Sequence, residues 1–275
     1  MYTLALLVAL LPACLAFPTP TVLQERNVTL EERLATLEKR SSGKRGLAYN
    51  DVSLLSGFES SSYISWAYNW DSTTDTLPDS AWEYVPMLWG TAATHTTNWA
   101  ARASAAIASG TTHLLGFNEP DLSTQADMTY SEAVTAWNTY MEPFSGKASL
   151  VSPCVTNGAS PMGLTWLGNF LDACTDCTIS AIAIHWYDSA TNFAYFKEYI
   201  NEAITLAGDK NVWLTEFGAT GTDAEIASFL EEAISFLSVT DKVTYYAYYM
   251  VADGYLIDGT SVSSPVGTTY RDYVP

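Results

Sequence analysis

Basic residues are scarce in this chain: 12 lysines and arginines stand against 30 aspartates and glutamates, and histidine occurs three times. The shortage sharpens along the chain. Residues 1–45 hold six of the basic and four of the acidic residues, so residues 46–275 carry six against 26, a net of −20. Such a surface repels phosphate backbones and anionic membranes, which argues against nucleic acid or a membrane as partner. It suits a neutral or cationic ligand. No apolar run is long enough to span a bilayer, and the C-terminus lacks the tail of a lipid-anchor signal. Three histidines without paired spacing and four cysteines make a poor zinc site, so no metal and no organic cofactor is expected. Cys174 and Cys177 have the spacing of a small disulfide loop, which leaves Cys154 free. A redox or metal role is the sharper reading of these thiols, and a structural one outweighs it.

The first 45 residues differ from the rest. Leu4 to Leu11 is an apolar run broken by Pro12, and Cys14-Leu15-Ala16 offers small residues at cleavage offsets. Residues 1–16 therefore read as a secretory signal peptide, although lysine and arginine are missing before the apolar run. Residues 17–45 are Pro-rich, then charged and amphipathic, and contain the dibasic pairs Lys39-Arg40 and Lys44-Arg45. They read as a propeptide, with a mature start at Gly46, or near Ser41 if only the first pair is cut. The one glycosylation sequon, Asn27-Val28-Thr29, lies in this segment. Residues 46–275 form a single catalytic domain, expected as a monomer that is extracellular or in the cell wall.

Within that domain, short strand-like runs recur. They are Gly46–Asn50, Tyr63–Trp70, Tyr84–Trp89, His113–Asn118, Leu150–Val155, Ala181–Tyr187, Val212–Phe217 and Thr244–Val251. From the fourth onward the starts are 37, 31, 31 and 32 residues apart, each room for one strand, one helix and two loops. Thr129-x-x-Glu132 and Thr222-x-x-Glu225 are capping-box patterns ahead of helical periodicity, and Gly208 sits where a C-cap belongs. The first two intervals, 17 and 21 residues, are too short for full crossover helices. The fold class is α/β: a compact, irregular (β/α)₈ TIM barrel with abbreviated first helices. An open doubly wound sheet is the alternative, but the chain lacks a Gly-rich phosphate turn after the first run.

Active sites of such barrels lie at the C-terminal ends of the strands. Glu119 ends the fourth run and Glu216 the seventh, three βα units apart and hence across the mouth from each other. A single glutamate in a loop is more often a solvated residue than a catalyst. Two at matching strand ends fit glycosidic cleavage, where one carboxyl protonates the leaving oxygen and the other stabilises or attacks the anomeric carbon. Trp66, Trp70, Trp89, Trp186 and Tyr187 cluster near the same ends. Sugar rings stack on such side chains while their hydroxyls seek Asn and His. Trp70 and Trp89 each close a run and are the preferred stacking residues. Asn69, Asn118, Asn157, His185 and Tyr187 are the remaining candidates for substrate contact.

These stretches resemble fungal members of glycoside hydrolase family 128, the glycosyl hydrolase catalytic core group that includes the alkali-sensitive linkage proteins of the cell wall. The resemblance is carried by Lys44–Asn50, Ser65–Trp70, Pro86–Gly90, Leu115–Asp121, Ser152–Asn157, Ile184–Tyr187 and Leu214–Gly218. It implies a retaining endo-β-1,3-glucanase acting on β-glucan. Glu119 would be the acid/base, Glu216 the nucleophile, and His185 and Tyr187 would lie beside the nucleophile. The eighth run lacks the tryptophan that many related barrels place there. Alternatives are a glucan transglycosylase, a hydrolase of another β-glycan, and a non-catalytic glucan-binding wall protein.

Overall fold

The computed structural model describes residues 43–275. The expected signal peptide and most of the expected propeptide lie outside the described residues. Eight parallel strands follow one another: β1 (Arg45–Tyr49), β2 (Ile64–Tyr68), β3 (Glu83–Tyr84), β4 (His113–Leu115), β5 (Ser149–Val155), β6 (Ala181–Ser189), β7 (Asn211–Thr220) and β8 (Val243–Val251). They curl in the order β3-β2-β1-β8-β7-β6-β5-β4. The two outer strands meet through a bridge between Met87 and Leu115, with Leu115 N donating to Pro86 O at 2.9 Å. The third strand is short because Pro86 has no amide to continue its ladder. The (β/α)₈ expectation therefore describes the chain.

The helices follow the spacing of the runs. A seven-residue 3₁₀ helix, Val52–Phe58, is all that joins β1 to β2, and the β2–β3 connection has no helix. Full helices Gly163–Ala173, Phe193–Ala207 and Asp223–Val239 follow β5, β6 and β7. Both capping boxes are formed: Thr129 and Thr222 accept from the amides of Glu132 and Glu225, whose carboxylates reach back. Among the described residues, no helix is long and apolar enough to cross a membrane. Cys174 and Cys177 form a disulfide, and Cys154 is a buried free thiol.

Rings fill much of the barrel interior. Alternate residues of β2 and its end, Trp66, Tyr68 and Trp70, point inward and climb toward the mouth, with centroids 5.6 and 5.0 Å apart. Trp66 thus lies in the floor against Trp213 and Tyr245, not in the mouth where its neighbours suggested a sugar contact. Trp186 also belongs to the core. Between two inward residues it faces outward, stacked on Phe229 and edge-on to Phe196.

β1 begins at Arg45, whose buried guanidinium donates to the carbonyls of Tyr270 (2.6 Å), Arg271 (3.2 Å) and Tyr273 (3.1 Å). Lys44 Nζ donates to the carbonyls of Leu237, Ser238 and Thr240. Nearby in the floor, the buried Glu83 carboxylate accepts from Thr112 N at 2.6 Å and Oγ1 at 2.9 Å, and lies 3.2 Å from His113 Nδ1. Burial alone would raise its pKa, but the bonds from His113 and Thr112 and the charge of His113 hold it below the usual carboxylate range. A depressed folded pKa gives stability that is present above the unfolded value and lost as pH falls through the folded one. Glu83→Gln should therefore lower the melting temperature at pH 7, with the gap to the unmodified protein closing as pH drops below about 4. A gap that stays constant from pH 7 to 3 would show that the carboxylate's charge adds nothing.

Candidate active site

Two local irregularities aim the glutamates. The first is the turn after β4. Asn118 N donates to Trp89 O at 2.9 Å and Glu119 N to Cys154 O at 2.7 Å, which pins the segment between its neighbours. Glu119 then takes φ +43°, and Trp70 across the mouth takes φ +57°. Left-handed backbone costs a non-glycine residue roughly 1–2 kcal/mol, so both positions are held by their surroundings. Asp121 supplies part of that hold, accepting from Thr156 N, Thr156 Oγ1 and Gly163 N.

The second is a bulge in β7. Its pairing slips by one residue against β6 between Leu214 and Glu216, and against β8 between Leu214 and Phe217. The extra residue lets Thr215 and Glu216 both face the interior between the outward Leu214 and Phe217. Gly218 follows, where a Cβ would stand 2.8 Å from the Tyr187 ring. Its missing side chain is what allows Tyr187 to lie over the strand.

The glutamates, His185 and four other side chains form one network. Trp70 Nε1 donates to Glu216 Oε1 at 2.7 Å, and Tyr187 Oη donates a short bond to Glu216 Oε2. His185 Nδ1 is 2.8 Å from Glu119 Oε1. Its Nε2 is 3.0 Å from Thr215 Oγ1 and 3.5 Å from Glu216 Oε1. Tyr68 Oη donates to Thr215 O from below. One carboxylate oxygen from each glutamate and one His185 nitrogen lie within 4.8 Å of one another. Such a trio has the composition of a cation site, but its members already bond each other directly, which suits proton sharing. Burial first, then the Glu216 charge and hydrogen bond, raise the pKa of Tyr187, so it stays a neutral donor. Burial alone would lower that of His185. The charge of Glu216, the Cys154 thiol against the ring, and the bond and charge of Glu119 outweigh it and hold His185 well above its ordinary value.

Above this network is a cleft of about 700 Å³. Trp70, Trp89, Asn118, Glu119, Asn157, Tyr187 and Glu216 line it, so seven of the expected residues converge there. Asn118 Oδ1 is buried without a hydrogen-bond partner, while its Nδ2 donates to Gln125 Oε1 at 3.3 Å. Asn157 binds Tyr187 N and O and so ties β5 to β6 at the rim. His185 is fully buried beneath the lining, where its ring touches the carboxylates and not the open cleft. Asn69 is turned away: its amide donates to Thr73 O and accepts from Tyr84 Oη, holding the turn after β2. Tyr249 lines the cleft and was not among the expected residues. Its ring is 5.8 Å from Trp70 and 5.7 Å from Tyr187, at the β8 end where a tryptophan was missed. Alternation along Tyr245-x-Ala247-x-Tyr249 is the signal that would have found it.

Trp89, half-buried at the rim and stacked on His95 at 5.0 Å, allows a clean test of stacking. Trp89→Ala should weaken oligosaccharide binding by about 1–3 kcal/mol, the range for a ring ligand stacked on an aromatic side chain. Its melting temperature should hardly move. Normal affinity by calorimetry together with a large loss of melting temperature would make Trp89 a core residue.

Two carboxylates facing each other across the mouth of an aromatic-lined barrel cleft define the class of barrel glycosidases. The chain belongs to the glycosyl hydrolase catalytic core family, whose model matches residues 46–270. It is 32% identical over 225 residues to alkali-sensitive linkage protein 1 of Schizosaccharomyces pombe, covering 77% of this chain but only 39% of that protein. Among solved structures it is similar to a family 128, subgroup III, curdlan-specific exo-β-1,3-glucanase from Blastomyces gilchristii in complex with glucose. The identity there is 41%, the TM-score 0.80, and the match covers 85% of this chain and 99% of the other. It is also similar to a subgroup I endo-β-1,3-glucanase from Amycolatopsis mediterranei in complex with laminaritriose, with 27% identity, TM-score 0.69, and 83% and 98% covered.

Proposed function

We propose that this protein is a secreted, retaining β-1,3-glucanase that cleaves β-glucan by double displacement. The observation that carries the reading is the carboxylate pair, with oxygens of Glu119 and Glu216 within 4.8 Å of each other. Retaining pairs stand about 5–5.5 Å apart, whereas inverting pairs need roughly 6.5–9.5 Å to admit water. Glu216 receives two hydrogen bonds, from Trp70 and Tyr187, which hold both carboxylate oxygens in place and suit a positioned nucleophile. It attacks the anomeric carbon while Glu119 protonates the departing oxygen. Glu119 then takes a proton from water, and the hydroxide released to the anomeric carbon breaks the ester to Glu216. Trp70, Trp89 and Tyr249 offer rings to the sugar faces, and Asn118 and Asn157 line the same cleft.

The linkage is supported by relatives crystallised with laminari-oligosaccharides. A second reading concerns the cutting mode. Internal cleavage is what the sequence resemblance implies, but the 41% identical structure is of an exo-acting enzyme, which favours release from a chain end. Incubation with curdlan, mixed-linkage glucan, cellulose and chitin tests both points. Glucose or one short product from curdlan indicates end-wise action, and a ladder of sizes indicates internal cleavage. Longer products than the substrate indicate transglycosylation. Binding without any product from curdlan would leave a wall-binding protein, and turnover of another glycan alone would move the linkage.

We also propose processing after Lys39-Arg40 and not after Lys44-Arg45. The side chains of the second pair are bonded into the domain, so cutting there would discard the buried Arg45. N-terminal sequencing of secreted protein should read from about Ser41. A start near Phe17 would end the propeptide idea, and a start at Gly46 would mean that cleavage precedes folding.

A further inference from the structure

The two glutamates need opposite protonation states in the two halves of the reaction, and one buried side chain touches both. His185 is fully buried in β6, with Nδ1 2.8 Å from Glu119 Oε1 and Nε2 3.5 Å from Glu216 Oε1. The family resemblance implies a place beside the nucleophile. In the fold its shortest bond goes to the acid/base, and it has no face on the cleft.

From this geometry we infer that His185 is the positioning residue that keeps the catalytic proton: in the resting enzyme the proton lies on Nδ1, and it passes to Glu119 when a glycosidic oxygen must be protonated. The inference rests on the proposed double displacement. The groups around the ring are Glu119 after β4, Cys154 in β5, Tyr187 in its own strand, Thr215 and Glu216 in β7, and Tyr68 in β2 below Thr215. Two are carboxyl groups, none is basic, and each ring nitrogen has an oxygen in reach: Glu119 Oε1 for Nδ1 and Thr215 Oγ1 for Nε2. A doubly protonated imidazolium satisfies every one of these contacts. The raised pKa of His185, in which the two glutamate charges prevail over burial, agrees.

The transfer conserves charge. The Nδ1–H bond breaks as the Glu119 O–H bond forms, and an imidazolium–carboxylate pair becomes a neutral imidazole and a carboxylic acid. Nε2 keeps its proton on Thr215 throughout. Glu119 gives its proton to the leaving oxygen as Glu216 forms the glycosyl ester. In the second half, Glu119 takes a proton from water and returns it to Nδ1, and Glu216 leaves as a carboxylate. The set of three ends with the same protons it began with. A buried store of this kind removes the need to fetch a proton through a cleft filled by substrate.

The test begins with the full protein labelled at its histidine ring nitrogens, where only His95, His113 and His185 contribute signals. His185→Gln assigns the resonance by its loss. In the unmodified protein His185 should keep both ring protons to a pH above the ordinary imidazole range of about 6.5. In Glu119→Gln and in Glu216→Gln the imidazolium should be lost at lower pH, since each removes one of the stabilising anions. A His185 that is singly protonated at pH 6 in the unmodified protein would overturn the inference. So would a titration indifferent to Glu119→Gln in a variant with native melting. These readings need no turnover, so they stand apart from the glucanase assay: absence of glucan cleavage would sink the proposed function and leave the titration to decide on the proton. Where cleavage is measured, His185→Gln should shift the alkaline limb of kcat/KM to lower pH. A packing role would lower the whole profile and leave the limb in place.

Discussion

Glu216→Ala should stop hydrolysis of β-1,3-glucan, with kcat/KM falling by at least about 10³, which is roughly 4 kcal/mol of transition-state stabilisation. The carboxylate sits in the β7 bulge with donors on both oxygens, and alanine leaves a hole where the covalent bond of the proposed double displacement would form. Glu119 can still donate a proton, but no nucleophile is in line. Azide is small enough for the hole and approaches from the same side. With an activated β-glucoside it should restore turnover and give an α-glycosyl azide. The unmodified enzyme should release β-configured sugar first, visible by NMR before mutarotation. Initial α-anomer would replace the retaining mechanism by an inverting one, and an active Glu216→Ala enzyme would take this residue out of the site.

Glu119→Gln should cost about 10²–10⁴ on natural glucan, the usual worth of a positioned general acid. Glutamine keeps the shape of the side chain and an oxygen for His185 Nδ1, and the backbone N–H at this position still donates to Cys154 O, so the melting temperature should stay near that of the parent. A substrate with a good leaving group needs little proton assistance. On it the first step should survive and the second should slow, so that the glycosyl-enzyme accumulates and appears in the intact mass. Equal losses on good and poor leaving groups would show that Glu119 is not the acid.

The sequence showed the barrel more fully than it showed the site, and particular residues explain why. Strand spacing after β4 and the capping boxes at Thr129 and Thr222 are local signals, and each formed as written. The short early connections were also legible, since 17 and 21 residues cannot hold a full crossover. Alternation separates inward from outward residues at two strand ends. With Tyr68 and Trp70 facing in, Asn69 must face away, and with His185 and Tyr187 facing in, Trp186 must face out. At Glu216 the same rule fails. Counting in twos from the inward Trp213 would send Glu216 outside, and only the residue inserted against β6 and β8 brings it in. That slip belongs to the pairing of three strands and has no local code. The left-handed turns at Glu119 and Trp70 are equally silent, because neither residue is glycine. Nor does any spacing reveal that His185 reaches Glu119, 66 residues away.

The clasp between Arg45 and the carbonyls of Tyr270, Arg271 and Tyr273 has a use beyond holding a strand to a helix. It brings the two ends of the folded domain together, and Gly43 and Pro275 border the same small hollow. Strands of this barrel start at the floor and finish at the mouth, so this meeting point is on the far side from the cleft. A short peptide joining Pro275 to Gly43, with the chain reopened in an outer loop, would give a circularly permuted barrel with its catalytic face unaltered. A linker grafted to Pro275 would moor the protein to a bead or an electrode with its cleft turned toward the solution, ready to meet an insoluble polymer that cannot diffuse to it.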